Sequence, residues 1–137
     1  MEIRPFLKKD QLAVLQLLQS NIPAFFDESE ENDFLDYLEN SIEDYFVIEL
    51  DGEIIGSGGI NYCLEERKAR ISWDVIKASS HGLGIGTKLT EFRIDQLRSN
   101  SEVECIEVRT SQLAFEFYKK LGFQLISIEK DYWAKGF

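Results

Sequence analysis

Ser80-His81-Gly82-Leu83-Gly84-Ile85-Gly86-Thr87-Lys88-Leu89 is the stretch on which the reading of this chain turns. Three glycines stand at alternate positions, behind an apolar strand-like run and ahead of a helical pattern. A strand that feeds a glycine-rich turn into a helix N-terminus makes a ready anion site. The first N–H groups of the helix have no intrahelical partner, and its dipole favours negative charge there. Glycine removes the Cβ that would hold the backbone away from a phosphate. Such turns also cap helices without binding anything, so spacing has to decide. A Walker A loop needs Gly-Lys-Ser/Thr, but Thr87 separates Gly86 from Lys88. A Rossmann fingerprint needs its third glycine where Thr87 stands.

The 137 residues are one domain's worth, and a single domain over 1–137 is expected. A hydrophobic content of 44% is enough for a core. The net charge of −10 argues against nucleic-acid binding, which rests on neutralising phosphates. It suits a cationic partner such as an amine, although it also serves plain solubility. Met1 to Pro5 has no apolar leader, and no run approaches a membrane span. A cytoplasmic protein with no membrane partner is the simple expectation. Cys63 and Cys105 lie in strand-like runs and read as buried small hydrophobes rather than a disulfide. With one histidine beside them, no metal is expected.

Ile3 to Phe6 reads as a first strand, β1. Asp10 is the N-cap of a helix α1 from about Gln11 to Ser20. Leu12, Leu15 and Leu18, with Val14 beside them, give it an apolar face, and Asn21-Ile22-Pro23 ends it. Residues 27–33 hold five acids. Ser29 caps a second helix, α2, carrying Phe34, Leu35 and Leu38. Acids in a first turn favour the helix dipole, and the same run can line the entrance of a cationic acceptor. Tyr45 to Leu50 is strand β2, and Asp51-Gly52 is a hairpin signal. Ile54 to Tyr62 returns as β3, loosened by Gly56, Gly58 and Gly59. Ala69 to Ile76 is β4, with Ile71, Trp73 and Val75 on one face. These three strands form an antiparallel meander.

Thr87 to Ser99 is helix α3. Val103 to Val108 is β5, apolar on both faces, which suits a central place. Strand, loop, helix and strand make a βαβ unit, so β4 and β5 should be parallel. Ser111 starts α4, with Leu113, Ala114, Phe117, Tyr118 and Leu121 on one side and Gly122 as its C′ residue. Phe123 to Ile128 is β6, and Tyr132 to Phe137 is β7. The fold class is α/β of the α+β kind. A mixed, mostly antiparallel central sheet carries helices on both faces, in the order β1-α1-α2-β2-β3-β4-α3-β5-α4-β6-β7.

His81-x-x-Gly84-x-Gly86 resembles the Gln/Arg-x-x-Gly-x-Gly/Ala loop of the GNAT family of N-acetyltransferases, with His81 as the departure. Ala114-Phe115-Glu116-Phe117-Tyr118-Lys119-Lys120-Leu121-Gly122-Phe123 looks like the family's Ala-x-x-x-Tyr-x-x-x-Gly-Phe segment. It follows the βαβ unit as it does there, and the element order matches over nearly the whole chain. Ser111 is another departure, since many members have Asn; Thr110-Ser111-Gln112 resembles a branch with hydroxyl residues.

The resemblance implies an acetyl group moved directly from acetyl-coenzyme A to a primary amine of a small molecule or peptide, with no metal. His81, Gly82, Leu83, Gly84, Ile85 and Gly86 would hold the pyrophosphate. Backbone groups of Asp74, Val75 and Ile76 would pair with the pantetheine where β4 and β5 splay, and Ser111 would add a side-chain contact. Holding the thioester beside the amine removes much of the entropic barrier, and a strand amide can polarise its carbonyl. Tyr118 matches the family's general acid for the leaving thiolate. Glu107, in Glu107-Val108-Arg109, resembles members with a basic carboxylate on β5, with Asp74 and ordered water as competitors. Either carboxylate also reads as a solvated strand residue. The alternative is a catalytically inactive acetyl-coenzyme A-binding regulatory module, against which the intact Tyr118 speaks. The acceptor's identity carries no motif, and a homodimer is left open.

Overall fold

The computed structural model describes residues 1–24, 26–109 and 115–123, and its sheet is built outward from one hairpin. Asp51 and Gly52 both take positive φ, 51° and 79°. That is the type I′ turn whose twist matches the flanking strands. It joins β2 (Asp44–Leu50) to β3 (Glu53–Cys63). β1 (Glu2–Pro5) lies antiparallel on the outer side of β2, and β4 (Lys68–Ile76) antiparallel on the far side of β3. β5 (Cys105–Val108) then joins β4 in parallel, giving the order β1-β2-β3-β4-β5. The parallel pair follows from the connection: the chain leaves the end of β4, runs back through helix α3 (Ile85–Arg98), and re-enters the sheet in the same sense.

Alternation along β2 divides the core. Tyr45 and Val47 pack with Val14, Leu18 and Phe34 of helices α1 (Gln11–Gln19) and α2 (Glu30–Asn40). Phe46 and Ile48 pack on the other face with Ile85, Leu89 and Leu97 of α3. Both faces of the sheet are therefore covered, as the fold class expected. Helix α4 (Phe115–Lys120) sits close to the start of α3: a Cβ on Gly86 would meet the Phe117 ring at 3.2 Å. Strands β6 and β7, and Ser111, lie outside the described residues. Among the described residues no helix is long and apolar enough to cross a membrane.

Three local expectations are corrected. Asp10 holds the N-cap position of α1 but its side chain makes no capping bond to the helix; its carboxylate accepts from the Leu7 N–H at 2.8 Å and from Arg4, closing a 3-10 turn ahead of the helix. The buried face of α1 is Val14, Leu17 and Leu18, while Leu12 stays exposed. Cys63 and Cys105 are exposed rather than buried. Each stands at a strand end, the last residue of β3 and the first of β5, where alternation no longer guarantees cover.

Candidate active site

The site begins where β4 outruns β5. The parallel ladder covers Lys68 to Ile71 and ends at the Ile71–Val108 pair, so Ser72 to Ile76 continue without a β5 partner. A bulge falls within that open stretch. Ser57 pairs with Val75 and Gly59 with Ser72, leaving Trp73 and Asp74 opposite Gly58 alone. Trp73 has φ 50°, the left-handed geometry that absorbs the extra residue. The bulge reverses the strand's alternation. Ile71 pairs with Ile60 of the α3-side core, whereas Trp73 and Val75 pack with the α1–α2 core. The expectation that Ile71, Trp73 and Val75 share one face fails for this reason. The same reversal turns Asp74 toward α3.

The open edge is not wholly available. Lys77 N–H donates to Ile55 of β3, so by strand alternation the Ile76 carbonyl faces away from β3. There it accepts from Asn21 Nδ2 at 2.8 Å and from His81 Nε2 at 2.9 Å. A pantetheine amide paired with that carbonyl would have to share it. The expected backbone trio thus contracts toward Asp74 and Val75. His81, assigned by motif to the phosphates, uses its ring to tie the glycine loop to the end of β4. Asn21 is fully buried, also donates to Leu17 O, and was invisible in the sequence as a site residue.

Beyond His81 the loop takes the geometry its glycines permit. Gly82 and Gly84 have φ 83° and 78°, and a Cβ built on either meets nothing within 4 Å. Gly84 is the N-cap of α3, so the helix starts at Ile85, two residues before the expected start at Thr87. No side chain caps that end. The N–H groups of Ile85, Gly86 and Thr87 precede the first N–H with an intrahelical acceptor, that of Lys88, which donates to Gly84 O. Residues 80–88 contain no carboxylate. Open space, unpaired donors and the positive end of a dipole fit a phosphate-bearing co-substrate. Gly86 has a different task from its neighbours, because it lets Phe117 approach α3. Leu83 is an exposed apolar side chain between the two left-handed glycines.

A cavity of about 820 Å³ joins this loop to the bulge and runs on to α2. Tyr118 lines it. The phenol is 7% exposed, packs edge-on against Phe117 and Phe123, and donates to Asp74 Oδ2 at 2.7 Å. Burial, then the Asp74 charge, pushes its pKa well above the ordinary value, so it stays protonated. Asp74 in turn accepts from Arg93 Nη1 at 2.5 Å and Nη2 at 2.7 Å. With three donors on its two oxygens, Asp74 is poorly placed to act as a base. Glu107 does not line the cavity; its Oε1 accepts from Arg70 Nε and Nη2 at 3.0 and 2.8 Å. Arg70 is the member of that pair on the wall.

The far end of the cavity holds a carboxylate that motif reading did not single out from its neighbours. Glu30, in the first turn of α2, is 6% exposed and lines the wall with Phe26 and Trp73, whose rings stack. Its Oε2 accepts the Asp27 N–H at 2.8 Å. Burial raises its pKa, and Asp27 and Asp33 add to the effect, while the Asp27 N–H opposes it. The remainder of the acidic run is more exposed, in line with a helix-dipole role. Among the described residues no cluster of His, Cys, Asp and Glu could hold a metal ion.

Comparison with known proteins accords with this geometry. A profile of the acetyltransferase (GNAT) family matches residues 12–123, and the chain belongs to that family of acetyl-coenzyme A-dependent acyltransferases. An N-alpha-acetyltransferase of Sulfurisphaera tokodaii is 27% identical over 148 residues, an alignment covering 98% of this chain and 82% of that protein. The fold is shared with the ribosomal-protein-S18-alanine N-acetyltransferase of Escherichia coli. The TM-score is 0.74 at 22% identity, over 96% of this chain and 82% of that one. It is shared equally with N-acetylglutamate synthase of Neisseria gonorrhoeae complexed with coenzyme A and N-acetyl-glutamate, at TM-score 0.74 and 22% identity. That match covers 92% of this chain, which spans only 28% of the longer synthase.

Proposed function

We propose that the chain moves an acetyl group from acetyl-coenzyme A directly to a primary amine of a small molecule or a peptide. One observation carries the reading. The unpaired edge of β4, the uncapped start of α3 and the Tyr118 phenol open into a single cavity, which Glu30 also lines. In this reading the loop from His81 to Gly86 binds the pyrophosphate through its amides, and Asp74 and Val75 offer backbone groups to the pantetheine. Tyr118 donates a proton to the departing sulfur. Glu30, flanked by aromatic rings, receives the acceptor as a cation. Glu107 enters as the partner that orients Arg70 on the wall; the proton that makes the acceptor a cation leaves by water before attack.

Thiol release from acetyl-coenzyme A with a panel of alkylamines, polyamines, amino acids and peptide N-termini tests the proposal. Turnover with at least one amine class, absent for hydroxyl acceptors, is expected. Saturable acetyl-coenzyme A binding without turnover on any amine would favour the inactive binding module. The sequence relative acts on N-alpha amines by name, which makes peptide N-termini the first arm of the panel.

A further inference from the structure

Arg93 is the largest fully buried side chain in the described structure, and nothing in the family loop or tyrosine segment calls for it. Its five N–H donors all find acceptors. Nε donates to Leu89 O, Nη1 to Gly59 O and Asp74 Oδ1, and Nη2 to Asp74 Oδ2 and Thr90 Oγ1. The arrangement depends on a glycine across the sheet. A Cβ on Gly58 would lie 2.7 Å from Asp74 Oδ1 and 2.9 Å from Arg93 Nη1. The bulge at Trp73 and Asp74 delivers the carboxylate to this side, and the third donor it accepts is the Tyr118 hydroxyl. Buried ion pairs are a poor source of stability, and apolar replacements of similar volume are often neutral. Their position beside a phenol in the cavity wall gives this one another use.

We propose that Arg93 and Asp74 are positioning residues that hold the Tyr118 hydroxyl at the cavity wall for proton transfer. The inference rests on the acyl-transfer reading above. The phenol's one proton points to Asp74 before reaction. Rotation about the C–O bond breaks the bond to Asp74 and swings the proton toward the cavity, while the ring, packed edge-on against Phe117 and Phe123, keeps the oxygen where Asp74 had drawn it. As the C–S bond breaks and the C–N bond forms, Tyr118 gives its proton to sulfur. It takes one back from the acylated nitrogen, so the tyrosine ends as it began. Arg93 is the positive charge that offsets Asp74 beside the transient phenolate.

The test is a cycle of variants measured in single turnover with acetyl-coenzyme A and n-butylamine. The paired replacement Arg93→Met with Asp74→Leu removes both charges and leaves neither unpaired. It should keep acetyl-coenzyme A affinity within about threefold, lose on the order of 10²-fold in rate, and lose little more when Tyr118→Phe is added. A folded double variant at wild-type rate, or a loss that multiplies with that of Tyr118→Phe, would overturn the inference. Should the double variant fail to fold, Arg93→Lys keeps the charge but loses the fork. It is expected to lose rate by about tenfold with unchanged cofactor affinity, and wild-type behaviour would count against the proposal. The wild-type rate reports separately on the acyl-transfer reading. Even with no turnover, the Tyr118 ring carbon resonance, observed by carbon-13 labelling, should move in either variant. An unmoved resonance would mean that the pair does not hold the phenol.

Discussion

Tyr118 presents its hydroxyl from a buried ring, and burial decides what the residue can do. A phenol whose pKa is pushed above the ordinary 10.0 does not ionise at neutral pH, so its proton is always there to give. Tyr118→Phe keeps the ring contacts with Phe117 and Phe123 and removes only that proton. The single-turnover rate should fall on the order of 10²-fold while acetyl-coenzyme A affinity stays near normal. A rate within about twofold of wild type would make Tyr118 a packing residue. Glu30 poses a different balance. Its pKa is raised above the ordinary 4.5, chiefly by burial, so the ionised form penalises the fold. The penalty is present above the folded pKa and vanishes below 4.5, where folded and unfolded chains are both protonated. Glu30→Gln should therefore raise the melting temperature at pH 7, with the gain fading as the pH falls toward 4.5. The same change should raise the KM of a cationic acceptor on the order of tenfold. A variant no more stable than wild type at pH 7 would contradict the burial argument. Tyr118 was legible in the sequence because a motif frames it. Arg93 and Asn21 were not, and Glu30 only as one acid in a run of five, because one polar residue looks like any other until the opposite surface is known.

At the scale of elements, the loop and the helix it opens were readable, but their joint was not. The expected α3 began at Thr87, whereas the left-handed Gly84 starts it at Ile85. That shift moves Gly86 from the phosphate loop into the helix, where it admits Phe117. The bulge was harder to read, because one extra residue changes no composition and only inverts parity after it. Its trace was present in the glycines of β3, since Gly58 lies opposite Trp73 and Asp74. At Gly84 a Cβ meets no neighbour, so the cost of substitution is backbone strain. A β-branched residue resists φ 78°, the angle that aims the first N–H groups of α3 outward. Gly84→Val should fold with a modest loss of stability and bind acetyl-coenzyme A at least tenfold more weakly by calorimetry. Unchanged affinity in the folded variant would remove the loop from the binding site.

The whole molecule carries a net charge of −10, and its two substrates differ in sign. Acetyl-coenzyme A is an anion that must approach a negatively charged protein, toward the backbone dipoles at the start of α3 and the cavity-wall guanidinium of Arg70. A protonated amine is drawn in by the same field, toward an end of the cavity that already holds Glu30. Fields of this kind act on encounter rates and are screened over about 10 Å at 0.1 M salt. Raising the ionic strength from about 0.02 to 0.3 M shortens that range severalfold. The kcat/KM for a cationic acceptor should then fall several-fold, while kcat/KM for acetyl-coenzyme A holds steady or rises. A neutral hydroxylated amine of low pKa, measured beside the cation, separates steering from any general effect of salt on the fold. Equal salt responses of the cationic and neutral acceptors would mean that the acidic surface serves solubility alone. The dipole of α2 would then remain as the whole account of the acidic run from Asp27 to Asp33.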